Sequence, residues 1–271
     1  MKIIHQQGWL KQGQKGMVWL GQAGFWINTG RHKILIDPYL SDSLAKKYEG
    51  EIYDHQRMVD IPIGPTDLPK PDLVLISHAH TDHMDGETLA PLAQKYPNLP
   101  FFVPQASMDI AKERIGVDTY LIGLNADQTY NFDNYLNIRT FPAAHESLET
   151  DDYGHHLFLG YGIEDAGLRI YHSGDCIPYD GLKERVDAFA AHIALMATNG
   201  RDEQRLKANI AGNFTLEEAY ELSQNAQIFI PHHWGMFAFN TIAKEKIMAF
   251  AQKNTTPPII LPQHGNSLVI E

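Results

Sequence analysis

The sequence predicts an α/β protein in which two sheets pack together with helices outside them. Two observations carry this reading. Short apolar runs bounded by Gly, Pro and Asp recur from end to end, and they are strand-dense early but alternate with helical patterns later. That order suits paired sheets whose outer faces are covered by helices. No internal repeat, low-complexity segment or clear linker interrupts the 271 residues, so one domain over 1–271 is expected.

Residues 17–20, 24–27 and 33–36 read as successive strands, the first two joined as a hairpin through Gly21 and Gly24. Periodicity is then lost over 37–70, where four prolines punctuate a loop long enough to be functional. An apolar strand follows at 73–76, then a helix at 87–96, a strand at 101–103 and a helix at 107–115 ended by Gly116. Strands are expected at 120–124, 136–141, 157–163 and 168–172. Helical patterning returns at 181–191, before a buried strand at 193–197. Thr215 and Glu218 have capping-box spacing and open a helix running to about residue 225. A strand at 227–230, a helix at 241–253 and strands at 259–261 and 268–270 complete the chain.

Composition narrows the function. An apolar share of 44% with 20% charged residues is ordinary for a globular protein. The net charge of −11 argues against nucleic-acid binding, which calls for a basic patch; Lys46-Lys47 is the only adjacent basic pair. No apolar stretch is long enough to span a bilayer, so no membrane partner is expected. Residues 1–16 lack the apolar core of a signal peptide, and Cys176 is the only cysteine. Both features predict a cytoplasmic location and speak against antibiotic hydrolysis outside the cell. Homo-oligomerisation is left open. Fourteen histidines, many in tight groups, are the unusual feature.

The stretch Ser77-His-Ala-His-Thr-Asp-His83 follows an apolar strand and holds three imidazoles and a carboxylate. In extended chain, alternate residues share a face, so His78 and His80 can bind one ion. As the chain turns into the next helix, Asp82 and His83 are re-aimed and can serve a second. One motif leaves two ions short of ligands. His145, Asp175, His233 and His264 supply further candidates, each just beyond an apolar strand. Asn199, Arg201, Arg205 and Lys207 form a polar segment with enough positive charge to hold a substrate phosphate or carboxylate, and His264 could add a substrate hydrogen bond. Trp234, Met236, Phe237 and Phe239 are placed to form an apolar wall beside His233, although such a run is more often core.

The motif His78-Ala-His80-Thr-Asp82-His83 resembles the HxHxDH signature of the metallo-β-lactamase superfamily. His145, Ser173-Gly-Asp175 and Pro231-His-His233 are similar to its later ligand motifs, and in the same order. Trp19-Leu-Gly-Gln-Ala-Gly24 and Ile36-Asp-Pro-Tyr-Leu40 also resemble segments of that superfamily. Tyr171-His-Ser-Gly-Asp175, Asn199-Gly-Arg201, Ala211-Gly-Asn213-Phe-Thr215 and Pro231-His-His-Trp resemble the branch that contains L-ascorbate 6-phosphate lactonase. The resemblance implies a four-layer αββα sandwich. It implies His78, His80 and His145 on one metal, Asp82, His83 and His233 on the other, and Asp175 bridging.

Two divalent ions sharing a water would make hydroxide available near neutral pH, with Asp82 orienting it. Imidazole-rich ligation suits zinc, the aspartates keep manganese and iron open, and the lactonase resemblance leans to manganese. The expected activity is hydrolysis of a small anionic lactone or ester, such as a sugar-phosphate lactone. Phosphodiester cleavage and a non-hydrolytic di-iron redox or metal-binding role are the alternatives.

Overall fold

A computed structural model describes all residues, 1–271. Period-2 alternation within fully apolar strands sets its architecture. In β2 (Gly16–Gly21), Met17 and Trp19 face one way while Val18 and Leu20 face the other, and every residue is buried. The same split recurs in β3 (Gly24–Asn28), β4 (Lys33–Ile36), β5 (Leu73–Leu75) and β6 (Phe101–Pro104). A strand apolar on both faces must be covered on both. One face packs against a second sheet; the other lies under helices α2 (Gly86–Lys95) and α3 (Met108–Ile115).

The first sheet has eight strands in the order β1-β14-β2-β3-β4-β5-β6-β7, with β1 Ile3–Gln6, β7 Leu121–Leu124 and β14 Ser267–Ile270. It is antiparallel from β1 to β4 and parallel from β4 to β7. The second sheet has six strands in the order β13-β12-β11-β10-β9-β8. Its strands are β8 Thr129–Asn131, β9 Leu136–Pro142, β10 Leu159–Asp165, β11 Leu168–His172, β12 Ile193–Ala197 and β13 Ile228–His232. Helices α4 (Leu182–Phe189), α6 (Leu216–Leu222) and α7 (Lys244–Lys253) bury Val186, Ala219 and Ile247 in the same core as the inner faces of both sheets. The result is the expected αββα sandwich. No helix is long and apolar enough to cross a membrane.

Several details depart from the sequence reading. The N-terminal β1 was not expected, because Ile3-Ile-His-Gln6 is too polar to stand out; it forms by pairing with β14. The five-residue helices α1 (Ser43–Lys47) and α5 (Glu203–Lys207) are too short for a periodic signal. The strand expected at 259–261 is a single parallel bridge from Ile259 to Phe229. Residues 241–243 lie outside α7, whose first turn follows Ala243. The capping box is present, with Thr215 Oγ1 accepting from the Glu218 amide and Glu218 Oε2 accepting from the Thr215 amide.

Polar ties join the sheets at both ends. At one, the buried carboxylate of Asp165 on β10 meets Thr29 Oγ1 and His32 Nδ1 from the β3–β4 turn. At the other, the fully buried Tyr161 donates from Oη to the Ile76 carbonyl at 2.7 Å, and the Leu159 amide donates to the Ser77 carbonyl at 2.9 Å. The second tie holds the start of the histidine-rich turn against β10. Tyr161→Phe keeps the ring and removes one buried hydrogen bond, so it is expected to cost about 1–2 kcal/mol. Urea unfolding midpoints check this; an unchanged midpoint would mean that the bond contributes nothing to coupling the sheets.

Candidate metal centre

Strand ends of both sheets converge here. His78, His80, Asp82 and His83 lie between β5 and α2; His145 follows β9, Asp175 follows β11 and His233 follows β13. Ligand atoms of His78, His80 and His145 lie within 4.8 Å of one another, as do those of Asp82, His83 and His233. His78, His83 and Asp175 form a third such group. The Asp175 carboxylate stands between: Oδ1 is 3.3 Å from His83 Nε2, while Oδ2 is 3.1 Å from His233 Nε2 and 3.6 Å from His145 Nε2. Seven side chains scattered over 156 positions of sequence thus share one small volume.

Local backbone explains how they are aimed. Gly174 has φ +58°, and a Cβ there would lie 2.4 Å from the Leu159 carbonyl oxygen, so only glycine lets Asp175 turn inward. His233 itself adopts φ +64° and is held by its amide, which donates to the Gln22 carbonyl at 2.9 Å. Left-handed backbone at a non-glycine residue costs energy and clusters at functional sites.

Two residues without an expected role position the candidate ligands. Asp37, fully buried beyond β4, accepts from the Ser77 amide (2.7 Å), from Ser77 Oγ (2.6 Å) and from His83 Nδ1 (2.8 Å). Ser77 Oγ in turn accepts from His78 Nδ1 at 2.9 Å. With the Nδ1 protons of His78 and His83 engaged, each ring presents Nε2 to the centre. Gln22, in the β2–β3 turn at φ +50°, donates from Nε2 to Asp82 Oδ2 at 2.7 Å. Both residues lie within motifs that carry the family resemblance, so the signal was present; spacing alone gives no hint of whom they contact.

The fit to metal ions rests on polar atoms lacking hydrogen-bond partners. His78 Nε2, His83 Nε2, His233 Nε2 and Asp175 Oδ1 are all buried and, beyond the ion-pair approaches among themselves, have no hydrogen-bond partner. Buried polar groups are rarely left so, and a convergent set of imidazole nitrogens and carboxylate oxygens is the donor set of a divalent cation. Burial drives His78 well below the ordinary histidine range, aided by His83 and His80, and pushes His145 down to about 4. Both are neutral at pH 7, the form that ligates. Burial opposes charge on His83 too, but the carboxylates of Asp175, Asp37 and Asp82 outweigh it and hold its pKa well above the usual value. Burial likewise opposes ionisation of Asp175, yet His233 and His83 keep its carboxyl well below the usual carboxylate range. The centre is negative ground that a cation would neutralise.

A cleft of about 690 Å³ opens over these residues, walled by Tyr48, Tyr53, His55, Phe237 and Phe239. Phe237 and Phe239 thus supply the expected apolar wall, whereas Trp234 is core, its ring 4.9 Å from that of Trp19.

The proposed substrate contacts lie elsewhere, since Asn199, Arg201, Lys207 and His264 do not line this cleft. Arg201 makes a two-pronged ion pair with Glu218, at 2.6 Å for each bond, and so pins the start of α6. Arg205 grips Asp202 at 2.7 Å and also donates to the Asn199 carbonyl. Lys207 is exposed on α5, 3.4 Å from Glu203. Asn199 is buried and bonded to Asn213 and Asn240. His264 Nε2 lies 3.1 Å from the Leu20 carbonyl oxygen. A guanidinium held by its own carboxylate is not an open anion anchor, which corrects the role expected for Arg201.

Fold and site together define a metallo-β-lactamase-type protein. A β-lactamase superfamily domain matches residues 32–234, and the chain belongs to that family. It is 25% identical over 241 residues to a UPF0173 metal-dependent hydrolase of Aeropyrum pernix, covering 82% of this chain and 83% of the relative. It is also 25% identical to N-acyl-phosphatidylethanolamine-hydrolyzing phospholipase D 1 of Caenorhabditis elegans, over 82% of this chain and 64% of that one. Among solved structures, an isothiocyanate hydrolase from Delia radicum gut bacteria superposes with a TM-score of 0.74 at 18% identity, covering 94% of this chain and 98% of that one.

Asp37→Asn keeps the side chain's shape and tolerates φ +40°, but it loses the negative charge that faces His83 and Ser77. Metal affinity is expected to fall about 10–100-fold, as for other outer partners of metal-binding histidines. Competition against a chromogenic chelator measures it; unchanged affinity would remove Asp37 from the account.

Proposed function

We propose that this protein is a metal-dependent hydrolase with two divalent ions, one at His78, His80 and His145 and one at Asp82, His83 and His233, with Asp175 between them. The observation that carries the reading is the position of the Asp175 carboxylate, within 3.6 Å of His83, His145 and His233 at once. One anionic group reaching both histidine sets suits a paired centre better than a single ion. Zinc and manganese both suit the mixed imidazole and carboxylate donors. When bound, such ions acidify water and polarise a carbonyl or phosphoryl oxygen.

The chain's own groups do the rest. Asp82, oriented by Gln22 and 17% exposed, can accept a hydrogen bond from a reacting water beside the cleft. The aromatic wall of Tyr48, Phe237 and Phe239 gives an apolar seat and keeps bulk water from one side of the substrate. A small anionic ester or lactone is the substrate class that this seat and the lactonase resemblance support. The Caenorhabditis relative, named for a phospholipase D activity, supports a second reading in which the scissile group is a phosphodiester.

The test uses chelator-stripped protein refilled with zinc or manganese. Turnover of a γ-lactone, a 4-nitrophenyl carboxylic ester and bis(4-nitrophenyl) phosphate should vanish on stripping and return on refilling. Lactone or ester should be favoured, and a clear preference for the phosphodiester would replace the first reading by the second. Asp175→Ala is expected to lower kcat more than roughly 100-fold, beyond the loss typical of an outer partner. Turnover indifferent to stripping would end the proposal.

A further inference from the structure

A second cavity of about 780 Å³ adjoins the metal cleft, and the two share Tyr53, Ile210 and Phe239 in their walls. These three residues form a mainly apolar saddle between the cavities. Beyond it, Leu216, Ile242 and Phe250 contribute apolar surface. The far side is one face of α7, where Lys246, Ala249, Phe250 and Lys253 recur at helical spacing.

The charges around this cavity are not equivalent. Arg201 and Arg205 also line it, but Glu218 and Asp202 hold them. Lys246 and Lys253 are exposed, and neither enters any ion pair of the chain. Glu217 is the one unpaired carboxylate in the lining, so two free ammonium groups face one free carboxylate. In a chain of net charge −11, such a place can concentrate an anion locally. The metal cleft offers less. Of its two Lys and Arg residues, Arg114 donates to the carbonyls of Ala79 and Met84, and Lys47 lies 5.0 Å over the Tyr48 ring with Glu51 also in the wall.

We propose that the α7 cavity is a distal binding site for an amphipathic anion, with its apolar body on the Tyr53–Phe239 saddle and its anionic group at Lys246 and Lys253. Resting on the hydrolase reading but not on its small substrate, this makes the substrate an extended ester with its scissile end at the metal centre and its anionic end in the α7 cavity. A compact sugar-like substrate would occupy the metal cleft alone. The site thus selects for length and for charge at one end.

The experiment reads binding, not turnover. Fluorescence titration of the whole, metal-loaded protein with 11-(dansylamino)undecanoate should give saturable one-to-one binding. Lys246→Glu combined with Lys253→Glu should weaken that binding at least tenfold. Binding of the uncharged primary amide of the same probe should not change. Ala249→Trp, at an exposed helix position, should intrude into the cavity beside Phe250 and weaken binding of both probes. Unchanged metal content and melting temperature in the variants show that the fold is kept. Absence of saturable binding to the parent protein overturns the proposal, as does binding of the carboxylate that is undiminished by the charge reversal or the tryptophan. Any of these sinks the distal site while leaving the hydrolase reading intact, because no turnover is measured.

Discussion

One buried carboxylate holds the candidate centre in shape. Asp37 has no solvent to share its charge, and it accepts hydrogen bonds from the Ser77 amide, Ser77 Oγ and His83 Nδ1. Through Ser77 it also orients His78. Its position depends on β4 and β5 lying side by side, since its own amide donates to the Leu75 carbonyl at 3.0 Å. Sheet pairing, ring orientation and ligand aim are therefore one constraint. The Nδ1 protons of His78 and His83 are fixed, so Nε2 of each ring is turned to the centre.

The second requirement is that the two sheets meet in register. Asp175, His145 and His233 come from the six-stranded sheet, while His78, His80, Asp82 and His83 come from the eight-stranded one. The shared apolar core brings the sheets together without direction, and the Tyr161–Ile76 and Leu159–Ser77 hydrogen bonds fix their offset beside the site. Gln22, Asp37 and His233, all at positive φ, lie at this end, and their strain is borne by the packing around them.

Much of this was legible in the sequence, for physical reasons. Fully apolar strands such as Ile193–Ala197 and the alternating faces of β2 and β3 announce burial on both sides. The dense His78–His83 turn states its chemistry locally. What stayed hidden depends on partners distant in sequence. Arg201 next to Gly200 looked like an open anion anchor, but Glu218 lies 17 positions away and no local pattern shows that they pair. Gln22 contacts Asp82 across 60 positions, and Asp37 meets Ser77 across 40. Short elements escaped as well: α1 depends on the burial of Leu44 and Ala45, and α5 on the Asp202 cap, whose side chain accepts from the Arg205 amide. The residues 37–70 that looked irregular include the Tyr48–His55 wall of the cleft.

The central claim is a pair of metal ions sharing Asp175. Anomalous diffraction collected at the metal's absorption edge, from crystals of protein refilled with zinc or manganese, tests it directly. Two peaks are expected, one contacting His78, His80 and His145 and the other contacting Asp82, His83 and His233, with the Asp175 carboxylate touching both. A single peak, or metal bound away from this cluster, would contradict the account.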